Sequence, residues 1–144
     1  MHTTPMDSPP TLVLSAPAAP EPARRFLVTA RFVNTSQRPL RLLDLFEPLP
    51  VFFTARLVAP GGGEVDIAGA GKLDPLQGSL RYAELAPGAI LEAALDLAPW
   101  LRASSLPGGT YRLSLQYHNA YGEDCFKGLV DSAAIEVRVG VALP

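Results

Sequence analysis

The chain has 144 residues, 48% of them hydrophobic and 18% charged, with a formal charge of -2 and a pI of about 5.6. That length and composition describe one domain able to bury a core without crosslinks, and the near-neutral balance excludes a general attraction to nucleic acid or anionic membrane. A single cysteine, Cys125, excludes an internal disulfide and any zinc site built from cysteine pairs.

Six of the fifteen prolines fall in residues 1–22. Proline supplies no backbone donor, so residues 1–23 read as an extended lead-in with at most an edge strand at Thr11–Ser15, and 24–144 as the folded body. No Lys or Arg precedes the apolar run Leu12-Val13-Leu14, so this segment does not read as a signal peptide as it stands, while Ala16-Pro17-Ala18-Ala19 imitates a small-residue cleavage site and leaves a removed leader open. Glu92 and Asp96 interrupt the longest apolar candidate for a membrane helix, and a cytoplasmic location is expected. Ten of the twelve basic residues are Arg, and Ala, Pro and Leu abound, which points to a GC-rich bacterial genome.

Phe26, Val28, Ala30 and Phe32 alternate with Leu27, Thr29 and Arg31, a strand that ends at the polar turn Asn34-Thr35-Ser36. Leu40–Leu43 resumes after Pro39. Val51, Phe53, Ala55 and Leu57 alternate with Phe52, Thr54, Arg56 and Val58, and the run stops at Pro60-Gly61-Gly62-Gly63 before Glu64–Ile67, as a hairpin would. Residues 68–79 read as a long loop, and Leu80–Leu85 as a short strand before the Pro87-Gly88 turn. Over Ile90–Trp100 the apolar positions fit both periods. A helix there would leave a sheet edge unexplained, so a strand is expected over 89–97. A turn around Ala98–Ser104 then leads to Leu106-Pro-Gly-Gly-Thr-Tyr111, where Tyr111, Leu113, Leu115 and Tyr117 alternate with polar residues. A tyrosine at such a strand start is placed to hydrogen-bond back to upstream backbone. Ala133–Val139 is the last strand, with Ile135, Val137 and Val139 inward. The expected fold is an all-β, immunoglobulin-like antiparallel β-sandwich of about seven or eight strands.

Asn34-Thr-Ser with Pro39-Leu-Arg-Leu, then Leu85-Ala-Pro-Gly88, then Leu106-Pro-Gly-Gly-Thr-Tyr111, resembles bacterial immunoglobulin-like and fibronectin-type-III-like domains, including the BsuPI-type intracellular proteinase inhibitor domain. The resemblance covers roughly residues 24–139. It implies a sandwich, and in the BsuPI case an inhibitor of intracellular proteinases.

No catalytic constellation emerges. His2 lies in the tail, and His118 is four residues from Ser114 on one strand, about 13 Å away by strand rise and too far for a nucleophile–base pair. Glu123 and Asp124 flank Cys125 and would raise its thiol pKa, so a packing role is expected of it. Glu123, Asp124 and Asp131 lack the spacing of a calcium ladder, and Gly69-Ala-Gly71-Lys72 lacks the hydroxyl of a phosphate-binding loop; neither metal nor cofactor is expected. Arg24, Arg25, Arg31, Arg38 and Arg41 form a basic stripe between Pro22 and Leu43, a window without acids. Outward arginines that protect a sheet edge explain that stripe better than a nucleic-acid contact. Asn34-Thr35-Ser36 matches a glycosylation acceptor, but its expected role is the turn itself.

The loop after the Tyr111 strand remains. Tyr121, Glu123, Asp124 and Phe126 are the expected partner-binding residues, carried on an end loop of a rigid scaffold. Phe126 is also a candidate to pack into the core. The expected function is a non-catalytic protein-interaction or accessory module. Proteinase inhibition, and binding of a small ligand or carbohydrate, are the alternatives. An exposed sheet edge also offers a route to a homodimer.

Overall fold

Gly109–Asn119 forms the longest strand of the computed structural model, which describes residues 9–16, 26–46, 49–65, 80–98 and 106–139. Among the described residues there are nine strands and one helical turn: β1 (Thr11–Ser15), β2 (Leu27–Val33), β3 (Leu40–Leu43), α1 (Leu49–Phe52), β4 (Phe53–Val58), β5 (Tyr82–Leu85), β6 (Ile90–Asp96), β7 (Gly109–Asn119), β8 (Gly128–Asp131) and β9 (Ile135–Val139). All strand pairs are antiparallel, and the sheets run β1-β2-β6, β3-β5 and β4-β7-β8, with β9 also on β7. The protein is an all-β antiparallel sandwich. No helix among the described residues is long and apolar enough to cross a membrane.

Strict alternation places the core. Phe26, Val28, Ala30 and Phe32 are all buried, as are Tyr111, Leu113, Leu115 and Tyr117 across the sandwich. The two layers meet where the Phe32 ring of β2 stands edge-on to Tyr117 of β7, with centroids 4.9 Å apart. Phe46 stacks on Phe32 at 5.3 Å, and Phe53 closes the cluster 5.5 Å from Tyr117. Leu12 and Leu14 of β1 are also in this core, so the Thr11–Ser15 strand is an integral part of the sandwich. The strand expected over 89–97 is present as β6, Ile90–Asp96, in register with β2 from Leu27↔Asp96 to Val33↔Ile90. Tyr111 closes its corner by donating its hydroxyl to the Pro107 carbonyl at 2.6 Å.

Three details differ from the expected elements. The strand foreseen from Val51 begins at Phe53, because Leu49–Phe52 makes a helical turn. Pro50 has the fixed φ that suits a first helical turn, and the switch from turn to strand lets both Phe52 and Phe53 reach the core. Phe52 is therefore buried, where period-two alternation turned it outward. The Pro60–Gly63 turn is present, but its return leg is a single bridge, Val58↔Glu64, among the described residues. Finally, Gly128–Asp131 is a separate strand, which brings the count to nine. β8 and β9 share one edge of β7 end to end, and the gap between them would orphan the Leu115 backbone. Ser132 fills it, donating its N–H to the Leu115 carbonyl at 2.9 Å and accepting the Leu115 N–H on its hydroxyl at 3.0 Å. The long loop foreseen at 68–79 and most of the turn at 98–104 lie outside the described residues.

Candidate functional site

β7 ends at Asn119, and the loop it feeds is built around that side chain, which is 5% exposed. Asn119 Oδ1 accepts the Tyr121 N–H at 3.0 Å, an Asx turn, while Nδ2 donates to the carbonyls of Tyr121 at 2.9 Å and Phe126 at 3.1 Å. The buried amide thus ties both ends of the 120–126 segment to the strand end. Inside that ring the Cys125 thiol donates to the Tyr121 carbonyl at 3.3 Å. Gly122 has φ +93°, and a Cβ there would come within 2.8 Å of Cys125 Sγ and 3.1 Å of the Tyr82 ring. Only glycine meets both demands. Asp124, at φ 53°, uses the tolerance of its side-chain type for the left-handed region.

The loop is also fastened to β3 and β5. The Phe126 N–H donates to the Arg41 carbonyl at 2.9 Å, and the Glu123 N–H to the Tyr82 hydroxyl at 3.1 Å. The Arg41 guanidinium lies 3.9 Å over the Tyr82 ring, with Nε 3.5 Å from Glu84 Oε1, an ion pair without hydrogen-bond geometry. The Tyr121 and Phe52 rings meet at 72° in a T-shaped pair, centroids 6.1 Å apart.

Of the four residues expected to meet a partner, Glu123 and Asp124 are exposed at the loop tip and Tyr121 is half-buried beside them. Phe126 is 7% exposed and belongs to the core, so it anchors the loop. Arg41 and Tyr82, unremarked as a pair in the sequence, form the bed on which the loop rests. The sequence reading missed Asn119, although an Asn closing an alternating strand with a glycine three residues on is the composition of a side-chain-capped turn.

Among the described residues the basic stripe does not converge. Arg31 lies on β2, bonded to Glu92 at 3.0 Å and to the Ser15 hydroxyl at 3.1 Å, whereas Arg41 lies on β3 against Tyr82 and Glu84. Arg38 is exposed in the turn after β2, and Arg24 and Arg25 lie outside the described residues. The acids do not gather either: Asp131 accepts from Gln116 Nε2 at 2.9 Å, and among the described residues no three His, Cys, Asp or Glu side chains are grouped to hold a metal. His118 Nε2 sits 3.1 Å from the Thr54 hydroxyl on the solvent face of β4–β7.

Asn34, 1% exposed at the end of β2, repeats the Asn119 design. Its Oδ1 accepts the Ser36 N–H at 3.0 Å and hydroxyl at 2.7 Å, and Nδ2 donates to the carbonyls of Arg38 at 2.7 Å and Leu85 at 2.9 Å. The nitrogen a glycan would need is sealed inside the fold, so the Asn34-Thr-Ser sequence serves the turn.

Burial pushes the Cys125 thiol up from its ordinary pKa; the Lys127 and Arg41 charges and the Asn119 hydrogen bond pull it back, and Asp124 adds a small upward push. The direction matches the sequence reading, but the leading cause is desolvation and not the flanking acids. Because the folded chain holds this proton more tightly than the unfolded chain, its contribution to stability is intact below the ordinary thiol range and is lost as pH rises from there through the raised value of the folded thiol. Iodoacetamide alkylation of Cys125, followed from pH 7 to pH 10, should therefore show a rate profile displaced upward from that of an exposed thiol. A midpoint at or below the ordinary value would contradict the buried placement.

No family model matches this sequence, and no curated protein matches it.

Proposed function

We propose that the protein is a non-catalytic interaction module, a cytoplasmic bacterial accessory domain that binds another protein through the 120–127 loop. One observation carries the reading: the segment bearing a solvent-facing acidic tip, Glu123-Asp124, is fastened by a buried asparagine, a glycine with no room for a side chain, and hydrogen bonds to two neighbouring strands. Ordering cost is then met in the free protein, and a preformed loop on a rigid sheet loses less entropy when a partner docks. Half-buried Tyr121 adds an aromatic side chain next to the two carboxylates, a combination suited to a partner with a basic or amide-rich face.

The test compares capture from lysate of the source organism by the wild-type chain and by a Glu123→Lys, Asp124→Asn double variant. Asn keeps the backbone conformation of position 124, so the loop survives while its charge reverses. A stoichiometric protein retained by wild type and lost by the variant supports the loop as the contact. Equal capture by both would sink that placement, and a captured proteinase whose activity falls on binding would move the reading to inhibition.

A further inference from the structure

β6 is the longest strand with an unpaired outer edge among the described residues. Three of the other edges each receive a backbone contact from outside their sheet: β1 bridges Ser132 through Leu12, β3 receives the Phe126 N–H on Arg41, and β4 takes the Val65 N–H on Leu57; β5, β8 and β9 are shorter than β6. The backbone direction along β6 follows from the ends of its ladder with β2. The Leu97 N–H donates to the Phe26 carbonyl at 2.9 Å and the Asn34 N–H to the Ala89 carbonyl at 3.0 Å. Residues 91, 93 and 95, in step with these, turn their N–H and C=O groups toward β2, and Ile90, Glu92, Ala94 and Asp96 turn theirs to the open edge.

Edge strands are normally guarded by lysine, proline, a bulge or a projecting charge. Ile90–Asp96 contains no lysine or proline and pairs without interruption. Its two carboxylates are both engaged on their own sheet: Glu92 with Arg31 at 3.0 Å, and Asp96 accepting the N–H groups of Phe26 at 3.3 Å and Ala98 at 3.0 Å. Ile90 is 53% exposed, and Leu91 and Ala93 are only half-buried on the core side of the edge.

The geometry points to a second copy of this chain as the strand that completes β6, antiparallel about a twofold axis at Ala93. Only residues with outward backbone groups can form the hydrogen-bonded pairs, which leaves three central registers. One sets Glu92 opposite the partner's Glu92, and another sets Glu92 opposite the partner's Asp96; both juxtapose like charges. The third places Glu92 opposite Ala94 and Ile90 opposite Asp96, with no acid facing an acid. On the core side it brings Leu91 against Leu95 and Ala93 against its own copy, which buries the apolar surface the single chain leaves at its edge. Arg31, bonded to Glu92 in each copy, offsets the diagonal approach of the carboxylates. The two three-stranded sheets then run as one.

The experiment is sedimentation velocity of the full chain from micromolar to millimolar concentration, with three exposed-edge variants checked for folding by circular dichroism. Ala94→Lys puts two cations opposite the partner's Glu92 and should tighten the dimer about tenfold, and Ala94→Glu should loosen it by a similar factor. Ala94→Pro removes an outward N–H without touching the β2 ladder and should leave a folded monomer. Wild type and Ala94→Lys that stay monomeric throughout would overturn the inference. So would a dimer indifferent to all three variants, or a monomer whose β6 edge takes a strand only from a different protein. The loop variant Glu123→Lys, Asp124→Asn should dimerise as wild type does, which separates this inference from the reading of the loop.

Discussion

Asn34→Ala should lower unfolding free energy by about 3 kcal/mol, from the loss of a buried amide that meets four partners. The side chain is 1% exposed and joins two turns distant in sequence, 34–38 and 85–89. Removing it deletes four bonds at once and unties the two turns, and at about 0.5–1.5 kcal/mol net for each bond the sum reaches that size. Urea denaturation of both proteins measures the difference. Asn34→Asp, which keeps the shape and the acceptor but loses both donors and adds a buried charge, should be at least as damaging. A loss under about 1 kcal/mol for either would mean that these turns are held from elsewhere.

The second large effect belongs to Asn119. Asn119→Ala should cost about 2–3 kcal/mol by the same accounting, since it deletes two donated bonds and one accepted bond in a site 5% exposed. Its more telling consequence is local. With the amide gone, the segment between β7 and β8 loses the tie that closes it, and Cys125 gains water. Alkylation of Cys125 at constant pH should then accelerate several-fold, because desolvation is the main reason its thiol holds its proton. An unchanged rate would show that the contacts with Tyr82 and Arg41 alone secure the loop. On the proposed reading of the loop, the same variant should also lose capture of a protein partner even though Glu123 and Asp124 remain.

The sandwich was legible where side chains alternate against a single buried face. β2 and β7 follow that pattern, and the Tyr111 corner closes as its turn sequence implied; β6, whose apolar positions fit both periods, was read as a strand only from the sheet edge that a helix would have left. Local patterning failed where structure depends on neighbours. Phe52 and Phe53 are both buried because a helical turn meets a strand between them, which no single period describes. β8 spans four residues, Gly128–Asp131, only one of them buried, so it exists as a strand by pairing with β7 and not by its own pattern. The candidate loop was identified by its aromatic and acidic residues, but its bed could not be. Arg41, Tyr82 and Cys125 are far apart in the chain and meet only after β3 and β5 have paired.

The account stands on the loop being a preformed surface, and amide hydrogen exchange at Tyr121, Glu123 and Phe126 tests that most directly. All three N–H groups are donated, to Asn119 Oδ1, to the Tyr82 hydroxyl and to the Arg41 carbonyl. If the loop is part of the rigid fold, these amides exchange through larger openings, with protection approaching that of β7 and lost together in Asn119→Ala. Exchange at the rate of an unstructured peptide in the wild-type chain would contradict the account, because a loop that opens freely presents no fixed surface for a partner to recognise.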